Sequence, residues 1–77
     1  MSTEDTMLLI EQASKLYTLG YEVEDRRKEL KELVDRGVPY SDPEMRQAYE
    51  RFLEVDTEWK RLEAEHMRLR KKMGVDI

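Results

Sequence analysis

Apolar residues recur along this chain at alternating steps of four and three, most regularly in its second half. There Ala48, Phe52, Val55, Trp59, Leu62, His66, Leu69 and Met73 keep the alternation, with His66 the one polar member. In the first half Leu9, Ala13, Leu16, Gly20, Val23, Arg27, Leu30 and Val34 keep it too. Such steps hold side chains on one side of a helix that turns every ~3.6 residues. Between the stripes lies Gly37-Val38-Pro39-Tyr40-Ser41-Asp42-Pro43, which cannot continue a helix. The pattern predicts an all-α, coiled-coil-like antiparallel hairpin forming one domain over residues 1–77. It has a helix over about 3–36, a turn over 37–42 and a helix over about 43–73.

The ends of both helices are marked. Ser2 can cap the first, with Asp5 completing a Ser-x-x-Asp box. Acid–base pairs four apart, Glu22–Arg26, Glu24–Lys28, Lys31–Asp35 and Glu32–Arg36, support its second half. Gly37 stands where a left-handed cap is wanted, and Pro39 blocks extension. The second helix starts either from a Ser41–Glu44 box or from an Asp42 cap with Pro43 in the first turn, and Gly74 stops it. Gly20 interrupts the first pattern at a cost of about 1 kcal/mol against alanine. A break there would give three helices. Because the stripe passes through Gly20 in phase, one continuous helix is expected. Folding the chain about its turn then sets Gly20 opposite Trp59, Arg27 against Phe52, His66 against Ala13 and Val34 against Met45. A missing side chain facing the largest one is a packing reason for the glycine.

The first helix carries more apolar surface than one seam can bury. Beyond its stripe lie Leu8, Ile10, Tyr17, Leu19, Tyr21 and Leu33, whereas the second helix adds mainly Tyr49, Leu53 and Met67. A stripe wider than the seam implies a second contact surface. A two-helix core is also marginal at this size, since burial barely offsets ordering entropy. Dimerisation into a four-helix bundle would cover the six residues. The rival is that they are reserved for another protein.

Composition sharpens this picture. Charged residues make up 42% of the 77 and the apolar set 39%, which suits surface-rich helices with a narrow seam. No cysteine is present, so disulfides and thiolate metal sites are excluded. Met7-Leu8-Leu9-Ile10 is the longest apolar run, too short for a membrane span or a signal-peptide core. A soluble cytoplasmic protein is expected. The net charge of −4 hides an axis: residues 1–25 hold one base and six acids, while residues 57–77 hold six bases and four acids. In a hairpin the acidic start meets Arg68, Arg70, Lys71 and Lys72, an arrangement that also suits both helix dipoles.

Candidate chemistry is sparse. His66 is the only histidine, with Glu63 one turn before it, the spacing used by carboxylate-bridged metal bundles. The facing stretch supplies Leu9, Ala13 and Leu16 and no carboxylate, so a seam histidine is the expectation, with no metal and no cofactor. No nucleophile stands with His66: Ser41 lies at the far end, and Ser2 and Ser14 read as a cap and a polar-face residue. Gly20, Gly37 and Gly74 are isolated and build no phosphate loop. No catalytic residue, enzyme activity or small-molecule substrate is therefore expected. Arg27, aimed into the seam by the stripe, either snorkels out or fixes register. Tyr40 is expected to fold back on Val34 or Met45, the alternative being a contact point on the turn.

Asp42-Pro43-Glu44 followed by Phe52, with Ala13 and Leu16 upstream, resembles the helix start of small helical-hairpin cell-fate regulators of Gram-positive bacteria. The resemblance spans about half the chain and implies a non-enzymatic adaptor that associates with itself and with related proteins. The hairpin outline is also similar to the aspartyl-phosphate phosphatases that act on sporulation response regulators. Their Ser-x-x-x-Asp hallmark is absent, since Phe52 stands four before Asp56. The expected function is a protein–protein interaction module, a small regulator, adaptor or assembly factor, whose partner is itself or another protein. The alternatives are a phosphatase-like accessory to phosphoryl signalling, and a nucleic-acid accessory acting through the basic C-terminus. The acidic balance disfavours nucleic acid, and no membrane partner is expected.

Overall fold

Two long helices account for nearly all of residues 3–74, the part of the chain that the computed structural model describes. The expected Ser2 cap lies outside those residues. Helix α1 runs Thr3–Asp35 and α2 runs Pro43–Met73. They pack antiparallel as a rod of 52 × 19 × 15 Å, with Asp5 beside Lys72 at one end and Leu33 beside Met45 at the other. Neither helix is long and apolar enough to cross a membrane.

The turn is built as its residue types require. Helix α1 ends at Asp35, and after Arg36 the chain enters the left-handed region at Gly37, φ 77°. The Gly37 amide donates to the Val34 carbonyl at 2.9 Å and the Val38 amide to the Leu33 carbonyl at 3.0 Å, the paired bonds of a Schellman cap. Val38 then packs back on Leu33, Met45 and Ala48, the most deeply buried cluster in the rod. Of the two starts open to α2, the chain uses the Asp42 cap. The Asp42 carboxylate accepts from the Glu44 amide at 2.8 Å, with Pro43 in the first turn. At the far end Gly74, at φ 72°, closes α2 with its amide bonded to the carbonyls of Arg70 and Lys71.

All eight stripe residues of α2 are buried or half-buried. Helix α1 is rotated from the expected phase. Ala13, Arg27 and Val34 face solvent, and Gln12, Leu19, Arg26 and Leu33 take their places beside Leu9, Leu16, Val23 and Leu30. Both series alternate threes and fours, but the observed one steps three where the expected one steps four. The larger leucines decide the rotation: Leu33 is 4% exposed while Val34 is 62% exposed.

Helix α1 runs unbroken through Gly20, as its phase implies. The Trp59 indole lies against that glycine and donates from Nε1 to the Leu16 carbonyl at 3.2 Å. A Cβ built on Gly20 would stand 3.7 Å from Trp59 Nε1, an ordinary van der Waals separation. The bare backbone therefore eases the approach of the indole without being strictly required for it.

Candidate protein-interaction surface

Six residues of α1 are expected to form an extra face, and the fold divides them. Leu33 is buried within the hairpin against Met45 and Ala48, so it is not part of any open surface. Leu19 is half-buried and lines a groove with Ser14, Thr18 and Leu62. Both belong to the seam because the rotation of α1 turns them inward. Ile10, Tyr17 and Tyr21 stay open at 63%, 70% and 59% exposure. Leu8 is exposed as well, but the helical turn sets it on the other flank.

Met7, absent from the sequence-derived set, completes the surface at 60% exposure. Met7, Ile10, Ser14, Tyr17 and Tyr21 fall at steps of three, four, three and four, opposite the seam. The first half of α1 therefore has two stripes, one buried and one bare. Their signal lay in the sequence as two interleaved series, of which only one can face α2. Beyond Tyr21 the outer series continues as Glu24, Lys28 and Lys31, so the apolar stripe ends at mid-rod.

Its two tyrosines are locked together. Their hydroxyls lie 3.0 Å apart, and the rings meet edge to face with centroids 5.0 Å apart. The hydrogen bond to Tyr17, reinforced by slight desolvation, raises the Tyr21 phenol above its ordinary 10.0. Held this way, the pair presents a preset aromatic edge, which lowers the ordering cost of a contact made there.

The surface continues onto α2. Ala13, Leu16, Tyr17, Trp59 and Met67 share a shallow groove between the helices with Glu63, His66 and Arg70. His66, expected against Ala13, instead meets Gln12, with Nδ1 3.0 Å from Gln12 Oε1. Both are buried, so the pair satisfies two polar side chains at one point of the seam. Among the described residues no group of three or more potential metal ligands occurs.

The opposite flank is ionic. Arg26, rather than Arg27, points toward the partner helix and bonds Glu29 at 3.3 Å, and Glu29 also binds Arg51 across the seam. The Arg51 hydrogen bond holds the Glu29 carboxyl below its ordinary 4.5 despite partial desolvation, with Arg26 adding to the effect. Arg27 stays in solvent with Glu24 at 3.0 Å. Of the four pairs expected along α1, Lys31–Asp35 is formed at 3.5 Å, while Arg26 takes Glu29 in place of Glu22. At the turn Tyr40 is the residue expected to fold back or to serve as a contact point. It stays 64% exposed and meets Tyr49 edge to face at 5.8 Å.

At the basic end Lys72 reaches Asp5 at 3.9 Å. No family model matches this chain, and no curated protein or solved structure is significantly similar to it.

Proposed function

We propose that this hairpin is a non-enzymatic protein–protein interaction module, a small regulator, adaptor or assembly factor, and that it works through the outer stripe of α1. The observation that carries this reading is the bare series Met7, Ile10, Tyr17 and Tyr21. Scattered surface apolars are ordinary. Four on one helical stripe, opposite an already satisfied seam, form the face of a helix that packs on two sides.

Surface area supports the same reading. The chain exposes 6027 Å², against about 5,000 Å² for a compact monomer of its 9.3 kDa mass. Its radius of gyration is 16.6 Å, where a compact chain of this length has about 11–12 Å. A standard interface removes about 800 Å² from each partner. That is close to the excess.

The test is a double substitution, Ile10→Glu with Tyr17→Glu, which leaves the seam untouched. Helicity should be kept, while self-association and the set of co-purifying proteins change relative to the parent chain. An unchanged solution mass together with an unchanged set of bound proteins would refute the reading.

A further inference from the structure

Building on that reading, we infer that the occupant of the outer surface is a second copy of this chain, packed with its open end beside the open end of the first. In this arrangement each α1 lies against the partner's α2, and the twofold axis runs along the rod.

The inference rests on two surfaces that match each other. One is the α1 stripe of Met7, Ile10, Tyr17 and Tyr21, bordered at mid-rod by Glu24 and Asp25, in a helix half that also carries Glu4, Glu11 and Glu22 against one base, Lys15. The other is on α2, where Lys60, Ala64, Met67 and Lys71 recur at steps of four, three and four. All four are exposed, Met67 at 43%. One surface is apolar on an acidic helix half, and the other sets Ala64 and Met67 between two lysines, of which Lys60 also reaches Asp56 at 2.9 Å. Tyr17 and Met67 line the same interhelical groove, so the two surfaces reach one face of the rod at those residues, with Ile10 two turns from Tyr17 and Lys60 two turns from Met67. Complementary residues on one face of the rod let two copies close by a twofold axis through that face.

Charge selects the orientation. Residues 1–25 sum to −5 and residues 57–77 to +2, while the middle, 26–56, holds seven bases and eight acids. Open end beside open end sets each −5 segment against a +2 segment, twice per dimer. Reversing one copy sets −5 against the turn-side half of the partner's α2, residues 43–56, which hold four acids and two bases. Pairing the two α1 helices back to back sets −5 against −5. Only the first arrangement is attractive, and it repeats between chains what Asp5 and Lys72 do within one.

The register follows from the hairpin itself. Within the chain Gln12 lies level with His66, and Leu16 with Trp59. At equal heights between copies, Ile10 meets the partner's Met67, and Tyr17 lies near the partner's Lys60 and Ala64. The tyrosine edge then has a small residue to pack on and a cation beside its ring.

The absence of cysteine makes the test clean. Chains carrying Ile10→Cys are mixed with separately tagged chains carrying Met67→Cys and oxidised, and solution mass is measured by light scattering over a wide concentration range. The expected results are twice the 9.3 kDa chain mass and a mixed disulfide as the main product. Ser14→Cys, on the outer stripe, should give little disulfide with itself. Tyr17→Lys should weaken association by about tenfold or more with helicity intact. A helical monomer throughout overturns the inference and leaves the interaction module standing, with a different protein as its partner. A dimer rich in Ser14 disulfides, or insensitive to Tyr17→Lys, overturns it as well.

Discussion

Replacing Gly20 by alanine should stabilise the hairpin. In the middle of α1 glycine costs about 1 kcal/mol relative to alanine, through the backbone freedom lost on folding. The added Cβ meets Trp59 Nε1 at 3.7 Å, so little overpacking offsets the gain. The net expectation is about 0.5–1 kcal/mol. For a domain of this length that raises Tm by roughly 3–6 °C. Gly20→Leu is the matched opposite. Its branches would displace the indole and break the bond to the Leu16 carbonyl. Losing that bond costs about 1 kcal/mol and crowding a further 1–3, against a propensity gain below 1. Far-ultraviolet circular dichroism melts at one fixed protein concentration would rank the three chains. If Gly20→Ala lowers Tm, the indole requires bare backbone and the spacing argument is wrong. If Gly20→Leu melts with the parent, Trp59 is not held where the structure places it.

Gln12→Leu alone should cost about 1–2 kcal/mol by leaving His66 without its buried partner. Adding His66→Leu should recover most of that loss, a coupling that a double-mutant cycle reads directly. Glu29 titrates below its ordinary 4.5 in the folded chain, so its contribution is present above that pH and fades as pH falls through the folded value. Carbon-13 titration of the carboxyl should show this, and Arg51→Met should return it toward 4.5. Asp42→Ala removes the cap on the Glu44 amide and should lower stability by about 1 kcal/mol in chemical unfolding.

The hairpin was legible because its punctuation is unambiguous. Gly37 and Pro39 end one helix, Asp42-Pro43 start the next, and each does so by its own backbone chemistry. The α2 stripe was legible because one series holds most of its large apolar residues, with Tyr49, Leu53 and Met67 outside it. Helix α1 offered two interleaved series containing similar apolar content. One polar residue near each choice, Gln12 beside Ala13 and Arg26 beside Arg27, blurred the contrast further. Gln12 is inside because His66 receives it, and Arg26 because Glu29 and Arg51 do. Those pairings cross between helices, so neither half of the sequence reveals them alone. The outer stripe was half visible: Ile10, Tyr17 and Tyr21 were distinguishable from the seam, whereas Met7 merged into the apolar run around it. Size was the missing discriminator. Leu19 and Leu33 outweigh Gly20 and Val34, and weighing side-chain volume along each series would have chosen the observed phase.

The deepest burial in the rod lies next to its turn, where Leu33, Met45, Ala48 and Val38 close over a short loop. Contacts there join residues near in sequence, whereas those at the open end, such as Asp5 with Lys72, close almost the whole chain. Closure entropy grows with the span enclosed, so the expected order is closure from the turn outward and opening first at the end where Asp5 meets Lys72. Amide hydrogen exchange should record this as protection that declines from Leu33 toward Leu9, and from Ala48 toward Leu69. The bare stripe of Met7, Ile10, Tyr17 and Tyr21 thus occupies the half that opens most readily. A partner bound there would also clamp the hairpin shut, so occupancy of the outer face and persistence of the inner one would rise and fall together.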